Sequence, residues 1–219
     1  MLGEKRVKKE KREDLPKGMK LTKEFKAAYK KMEETNNHIF LTGRAGTGKS
    51  TLLNYFRQNT EKKHVVLAPT GVAALNVKGQ TIHSFFGFHT QIQPSTVRRA
   101  KEEKLSFFKN LETIVIDEIS MVREDLLDCI NRALQLNRKS KEPFGGVQMI
   151  FIGDLFQLPP VVTRDEEYRF QGEYDSPYFF SAHVMNQVEL TKIELTKVHR
   201  QKNEAFVKLL ERIRTNICT

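Results

Sequence analysis

The sequence predicts an α/β fold in which a mostly parallel β-sheet lies between two layers of helices. Two observations carry that reading. Apolar runs rich in Val, Ile and Leu, "HIFLT" (38–42), "HVVLAP" (64–69), "TIVIDEI" (113–119) and "VQMIFIGD" (147–154), alternate with helical candidates, and strands apolar on both sides need cover on both faces. A glycine-rich turn, G-R-A-G-T-G-K-S from Gly43 to Ser50, joins the first such strand to the next helix, which is where this fold class places its phosphate loop.

Each element follows from local pattern. Residues 1–18 set Lys5, Arg6, Lys8, Lys9, Lys11 and Arg12 against Glu4, Glu10, Glu13 and Asp14, a charge density that cannot bury a core, so they read as a basic disordered arm. The arm is either a solvated tail or an extra nucleic-acid contact. Residues 19–219 read as one domain. "LTKEFKAAYKKMEE" places Leu21, Phe25, Ala28 and Met32 at helical spacing with Thr22 as cap. A helix is expected from Lys49 to about Gln58, and further helices over 70–76, 96–110 and 123–138. "QKNEAFVKLLERIRTNI" closes the chain as an amphipathic helix with Phe206, Leu209, Leu210 and Ile213 on one side.

Composition narrows the function classes. A chain of 219 residues supports one substantial core, and a net charge of +10 favours an anionic partner, either a phosphate polymer or an acidic membrane. No apolar run approaches a membrane span, and "MLGEKRVKKEKRED" lacks the apolar stretch of a secretory signal. An intracellular protein is expected, and the short arm fits a bacterial cytoplasm and nucleoid. Cys129 and Cys218 form no CxxC pair and read as free thiols, and the six His residues are scattered, so no His/Cys metal site is expected.

The turn after the first strand satisfies G-x-x-x-x-G-K-[ST]. Its glycines, Gly43, Gly46 and Gly48, let backbone N–H groups face phosphate oxygens at a helix N-terminus. Thr47 and Thr51 complete the nucleotide-binding set, Lys49 would reach the β- and γ-phosphates, and Ser50 would ligate Mg²⁺. The run "TIVIDE" ends in Asp117 and Glu118. Carboxylates at the C-terminal end of a buried strand lie where α/β sheets bind ligands. Asp117 would hold Mg²⁺ and Glu118 would activate the attacking water as general base. The residues thus describe a Mg-ATP or Mg-GTP hydrolase.

Four further segments narrow the family: "APTGVAALNVKGQTIHSFFG" (68–87), "VIDEISMV" (115–122), "GDLFQLPPV" (153–161) and "LTKVHRQ" (195–201). In order and spacing they resemble the motifs of the 5′-to-3′ branch of superfamily-one helicases, the Pif-one and RecD-like DNA helicases, and most closely the former. The resemblance covers about residues 21–201 and implies a RecA-like P-loop NTPase sandwich. It implies that Asp154 and Gln157 link the γ-phosphate to the DNA track, with Gln157 as phosphate sensor, although Gln157 can also be read as satisfying loop backbone groups. Arg200 matches the arginine that reaches the γ-phosphate, with a surface arginine as the plainer reading. Thr70, Gly71, Thr81, His83 and Ser84 match strand-binding segments, and of Phe85, Phe86 and Phe88 one, assigned to Phe85, is expected at the DNA surface.

Two departures from the family pattern stand out. Phe25 occupies the position where an adenine-reading Gln is expected, and the chain ends at Thr219, before the motifs of a second motor domain. The expectation is therefore the first motor domain of an ATP-driven DNA helicase, a monomer that binds nucleotide and single-stranded DNA or duplex junctions but does not unwind alone. The alternative is an oligomeric P-loop ATPase of the loader or remodeller kind that completes its site in trans. Roles in repair, recombination or telomere maintenance are implied by the resemblance only.

Overall fold

The computed structural model describes residues 22–164, 166, 172–197 and 212. The arm at 1–18, Arg200 and the expected closing helix lie outside the described residues. In chain order the elements are α1 (Lys23–Glu34), β1 (His38–Gly43), α2 (Lys49–Asn59), β2 (His64–Ala68), α3 (Gly71–Asn76), β3 (Gln80–Thr81), α4 (Ile82–Phe86), α5 (Glu102–Asn110), β4 (Thr113–Ile116), α6 (Glu124–Arg138), β5 (Gln148–Ile152) and β6 (Leu190–Leu195). Thr22 starts α1 as the sequence predicts: its hydroxyl accepts from the Phe25 amide at 3.1 Å, and Phe25, Ala28 and Met32 are buried.

Six strands form one sheet in the order β3-β2-β4-β5-β1-β6, every pair parallel. Side chains alternate across it as the strand period requires. Ile39, Leu41, Val115, Ile150 and Ile152 pack into the layer that holds Phe25, Met32, Leu52 and Phe56 of α1 and α2. Phe40, Ile114, Ile116, Met149 and Phe151 enter the opposite layer with Phe108 of α5 and Leu127, Ile130 and Leu134 of α6. The predicted three-layer α/β sandwich is present. Because β1 sits between β5 and β6, the C-terminal ends of β1, β5 and β4 stand in a row, and the loops leaving them meet along one edge of the sheet.

The structure departs from expectation at three places. β6, the two-residue β3 and the short α4 have no counterpart among the elements the sequence predicts. β6 is an edge strand whose sequence "LTKIEL" exposes Lys192 and Glu194, so it lacks the continuous apolar run that marks the inner strands. The helix expected over 96–110 begins only at Glu102, because the chain before it is captured by tertiary contacts. The Ala100 amide donates to Asn137 Oδ1 at 2.7 Å, and Val97 packs with Ile92, Cys129 and Ala133. The runs 113–119 and 147–154 stop being strand at Ile116 and Ile152, where the loops of the candidate site begin.

Behind the opposite, N-terminal end of the sheet lies one buried polar hub. Gln148, 2% exposed, accepts from Lys62 Nζ (2.8 Å) and Thr113 Oγ1 (3.1 Å), and donates through Nε2 to the carbonyls of Thr35 (2.9 Å) and Asn37 (3.0 Å). Truncation would take the printed partner from the Thr113 hydroxyl and the Asn37 carbonyl, and would remove one acceptor from Lys62, a cation already disfavoured by burial that keeps the carbonyls of Met32 and Thr35. Gln148→Ala is therefore expected to destabilise the fold by about 3 kcal/mol, lowering the melting temperature by roughly 6–12 °C. Thermal unfolding followed by circular dichroism checks this, and a shift near zero would mean that water restores the hub.

Candidate functional site

The phosphate-loop sequence folds into a cradle because its backbone goes where side chains cannot. Gly43 has φ +150, and a Cβ there would stand 2.5 Å from the Leu195 carbonyl oxygen on β6 and 2.8 Å from Thr47 Oγ1. Gly46 and Gly48 have φ of 80 and 96, and Gly48 is the residue from which α2 starts. No side chain caps α2, so its first N–H groups are turned into the loop, the arrangement that binds anions at helix N-termini. Buried Thr47 pins the turn by donating to the Arg44 carbonyl at 2.9 Å. Lys49 spans it, donating to the carbonyls of Gly43 (2.5 Å) and Arg44 (3.2 Å). Ser50 is exposed and Thr51 half-buried in the first turn of α2.

Asp117 leaves the end of β4 with its amide still bonded to the Leu67 carbonyl at 2.9 Å. Burial, and then the neighbouring Glu118, push its carboxyl up to about 6, while the Lys49 ammonium pulls the other way. Lys49 and Asp117 therefore act on one another across the site. Glu118 adopts φ 53, ψ 43, a left-handed conformation that costs a non-glycine residue about 1–2 kcal/mol and that clusters at functional sites. The turn that follows, Ile119–Met121, rests on the end of β5. A Cβ on Gly153 would lie 2.9 Å from Ile119 Cγ2 and 3.2 Å from the Ile119 amide nitrogen.

Beyond Gly153, buried Asp154 organises the next loop. Its Oδ1 accepts from the Phe156 amide (3.2 Å), its Oδ2 from Gln157 Nε2 (3.4 Å), and its carbonyl from the Gln157 amide (2.9 Å). Gln157 is exposed at the tip, followed by exposed Pro159 and buried Pro160. The structure thus brings Gly43 to Thr51, Asp117, Glu118, Asp154 and Gln157 to the C-terminal edge of the sheet.

A second group forms a cleft beside it. Thr70 caps α3 by accepting from the Ala73 amide (3.2 Å), and Thr81 caps α4 by accepting from the Ser84 amide (3.2 Å). Thr70 and His83 line a pocket of about 270 Å³ with Thr90, Met121, Arg123 and Val161. Burial, then the charge of Arg123, lowers the His83 pKa from its ordinary value, which leaves the ring neutral at neutral pH. Gly71 and Ser84 are exposed at the starts of their helices.

Phe85, expected at the DNA surface, keeps part of its ring exposed. It is half-buried in an aromatic cluster, with ring centroids 4.8 Å from Phe86, 6.0 Å from Phe107 and 5.6 Å from Phe108, so packing accounts for its aromatic character. Phe25 is likewise core, 3% exposed and edge-on to Tyr55 at 5.7 Å. Cys129 is a buried free thiol pushed up to about 12 by burial. Sequence reasoning missed Arg123, which carries no motif signal, and Glu24, whose Oε1 accepts from the amide (2.9 Å) and hydroxyl (3.3 Å) of Thr196 just past β6.

The donor set suits one hard cation. Among the described residues no three His, Cys, Asp or Glu side chains gather as a metal cluster. The Ser50 hydroxyl and the Asp117 carboxylate are two oxygens of the kind that share Mg²⁺ with phosphates and water. Among the described residues no helix is long and apolar enough to cross a membrane.

Comparison with known proteins agrees with this layout. The family model described as PIF1-like helicase matches residues 20–218. The ATP-dependent DNA helicase PIF1 of Rattus norvegicus is 36% identical over 200 residues, covering 90% of this chain and 30% of that protein. The solved structure of Pif1 helicase from Bacteroides in complex with ADP-AlF3 and single-stranded DNA superposes with a TM-score of 0.86 at 41% identity, over 92% of this chain and 48% of that one. A structure of two coordinating Pif1 helicases at forked double-stranded DNA gives 0.87 at 41% identity, over 92% and 49%. The chain thus spans under a third of the curated relative's length and about half of the solved chains.

The carboxyl of Asp117 sets a measurable conflict between stability and function. Its pKa is higher folded than unfolded, so its stabilising contribution is present below the ordinary aspartate value and is lost as pH rises through about 6. Above that, the charged form costs the fold roughly 2–3 kcal/mol. In the presence of a chelator, Asp117→Asn is expected to melt several degrees above the native chain at pH 8. The gap should close towards pH 4. Melting curves across that range check the sign, and equal stability at pH 8 would mean the carboxylate is solvated.

Proposed function

The chain belongs to the PIF1-like helicase family, and on that premise we propose that it is the first motor domain of an ATP-dependent DNA helicase that moves 5′ to 3′ along single-stranded DNA. The single observation that carries the reading is the meeting of the Lys49 loop, the Asp117–Glu118 pair and the Asp154–Gln157 loop at the C-terminal ends of three neighbouring strands. Phosphoryl transfer needs positioning and charge stabilisation more than covalent chemistry, and these three loops supply both.

In this reading Gly43, Gly46, Thr47 and Gly48 wrap the phosphates with backbone N–H groups, and Lys49 leaves its loop carbonyls to pair with the β- and γ-phosphates. Ser50 and Asp117 hold Mg²⁺, which when bound neutralises charge developing on the phosphate oxygens. Glu118 takes the proton of the attacking water. Gln157 reads the γ-phosphate from a loop whose far end, Val161, lines the cleft of Thr70 and His83. Arg200 completes the charge around the γ-phosphate. Thr70, Gly71, Thr81, His83 and Ser84 contact a strand phosphate backbone, and the exposed part of the Phe85 ring stacks on a base. Unwinding requires a second motor domain, since translocation alternates the grip of two domains on the strand.

Hydrolysis tests the proposal directly. Steady-state ATP turnover with and without oligothymidylate should be low, linear in protein, and reduced at least a hundredfold by Lys49→Ala and by Glu118→Gln. Activity that survives both variants would refute the site, and a rate rising faster than linearly with protein would favour completion of the site between chains. Buried Phe25 offers no amide to a base edge, so GTP should be hydrolysed with a kcat/KM within about tenfold of ATP, as for a pocket that lacks a base-reading hydrogen bond. A preference for ATP of a hundredfold or more would mean that another group reads adenine.

A further inference from the structure

The chain leaving the Gln157 loop is tied down by one cation. Arg123, the residue before α6, is gripped by Asp125 through Nε to Oδ1 (2.9 Å) and Nη2 to Oδ2 (2.6 Å). Its Nη1 pairs with Glu166 Oε1, and Glu166 Oε2 in turn accepts from the amide and the hydroxyl of Thr163, both at 2.8 Å. The two carboxylates differ in how firmly they hold. Asp125 is 2% exposed at the start of the same helix, whereas Glu166 comes from a segment distant in the chain and is 14% exposed.

Arg123 also walls the cleft that contains Thr70, His83 and Thr90. With His83 neutral, the cluster of Arg123, Asp125 and Glu166 sums to a charge of one negative, from one cation and two carboxylates. That is the wrong sign for a polyanion track. We propose that Arg123 is a phosphodiester-binding residue masked by Glu166, and that a strand phosphate enters by taking the Nη1 edge of the guanidinium from the Glu166 carboxylate. A guanidinium offers a carboxylate and a phosphate the same fork of donors, so the exchange keeps Arg123 paired throughout. Asp125 keeps the fork aimed. Release of Glu166 frees Thr163 and with it the strand-side end of the Gln157 loop, so entry of the strand is felt at the nucleotide side. The inference rests on the reading of this cleft as the strand track.

The test is binding of a fluorescein-labelled oligothymidylate to the full chain, read by fluorescence anisotropy over a series of salt concentrations. Glu166→Gln is expected to bind about three- to tenfold more tightly than the native chain, and Thr163→Val, which removes one anchor of the mask, to shift the same way by less. Glu34→Gln, an exposed carboxamide on α1, controls for loss of any negative charge and should shift affinity less than twofold. Arg123→Gln should weaken binding and erase the gain from Glu166→Gln in the double variant. Native chain that binds while Glu166→Gln binds equally or more weakly overturns the mask and leaves the cleft standing. No binding by the native chain or by any variant overturns the cleft reading itself, and the mask with it. If Glu166→Gln fails to fold, the sign of the Thr163→Val shift decides.

Discussion

Two close approaches of backbone to backbone at the C-terminal edge of the sheet hold the site together. At Gly43 the phosphate loop passes so near the end of β6 that a Cβ would strike the Leu195 carbonyl, and at Gly153 the end of β5 carries the turn that follows Glu118. Each lets neighbouring parallel strands bring their loops into direct contact. The gathered groups come from positions more than a hundred residues apart in sequence, yet they meet because parallel strands all end on the same side.

The acidic side chains at this edge contrast with those that hold the fold. Asp128 on α6 is satisfied by the amides of His183 and Val184, both at 3.0 Å, and by the Tyr174 hydroxyl at 3.1 Å; it caps a turn and is structural. Asp117 instead sits beside another carboxylate, is driven upward by burial and is met by a lysine on the opposing loop, while Glu118 holds a left-handed backbone. Crowded carboxylates and local strain of this kind persist only where the surrounding sheet over-determines them. Stability is given up where chemistry is proposed to occur.

On the strand side, the small polar residues serve two ends. Thr70 and Thr81 spend a lone pair on capping short helices, which fixes the helix starts that face the cleft and leaves each hydroxyl proton to donate outward. Arg123 links this cleft to α6, and through Glu166 and Thr163 to the chain leaving the Gln157 loop. Packing also explains the aromatic composition of "HSFFGF". Those rings lock α4, which carries His83, onto α5.

Much of this was legible from the chain alone, because the inner strands are apolar on both faces, Thr22 and Thr70 announce helix starts, and the glycines of 43–48 and the Asp117–Glu118 pair need only local context to be read. The sequence by itself determined the sheet class, the buried face of α1, the places of α2 and α6, and the loops that carry the candidate site. Tertiary structure alone decided that β6 joins the sheet despite its polar edge, that Asn137 unwinds the start of the helix expected at 96, and that Phe85 packs against Phe86, Phe107 and Phe108. It also decided the partners of Arg123. The reason is physical: periodicity and turn chemistry are encoded within a few residues, whereas edge pairing, burial of one ring among several and the choice between two carboxylates depend on groups that only the folded chain brings together.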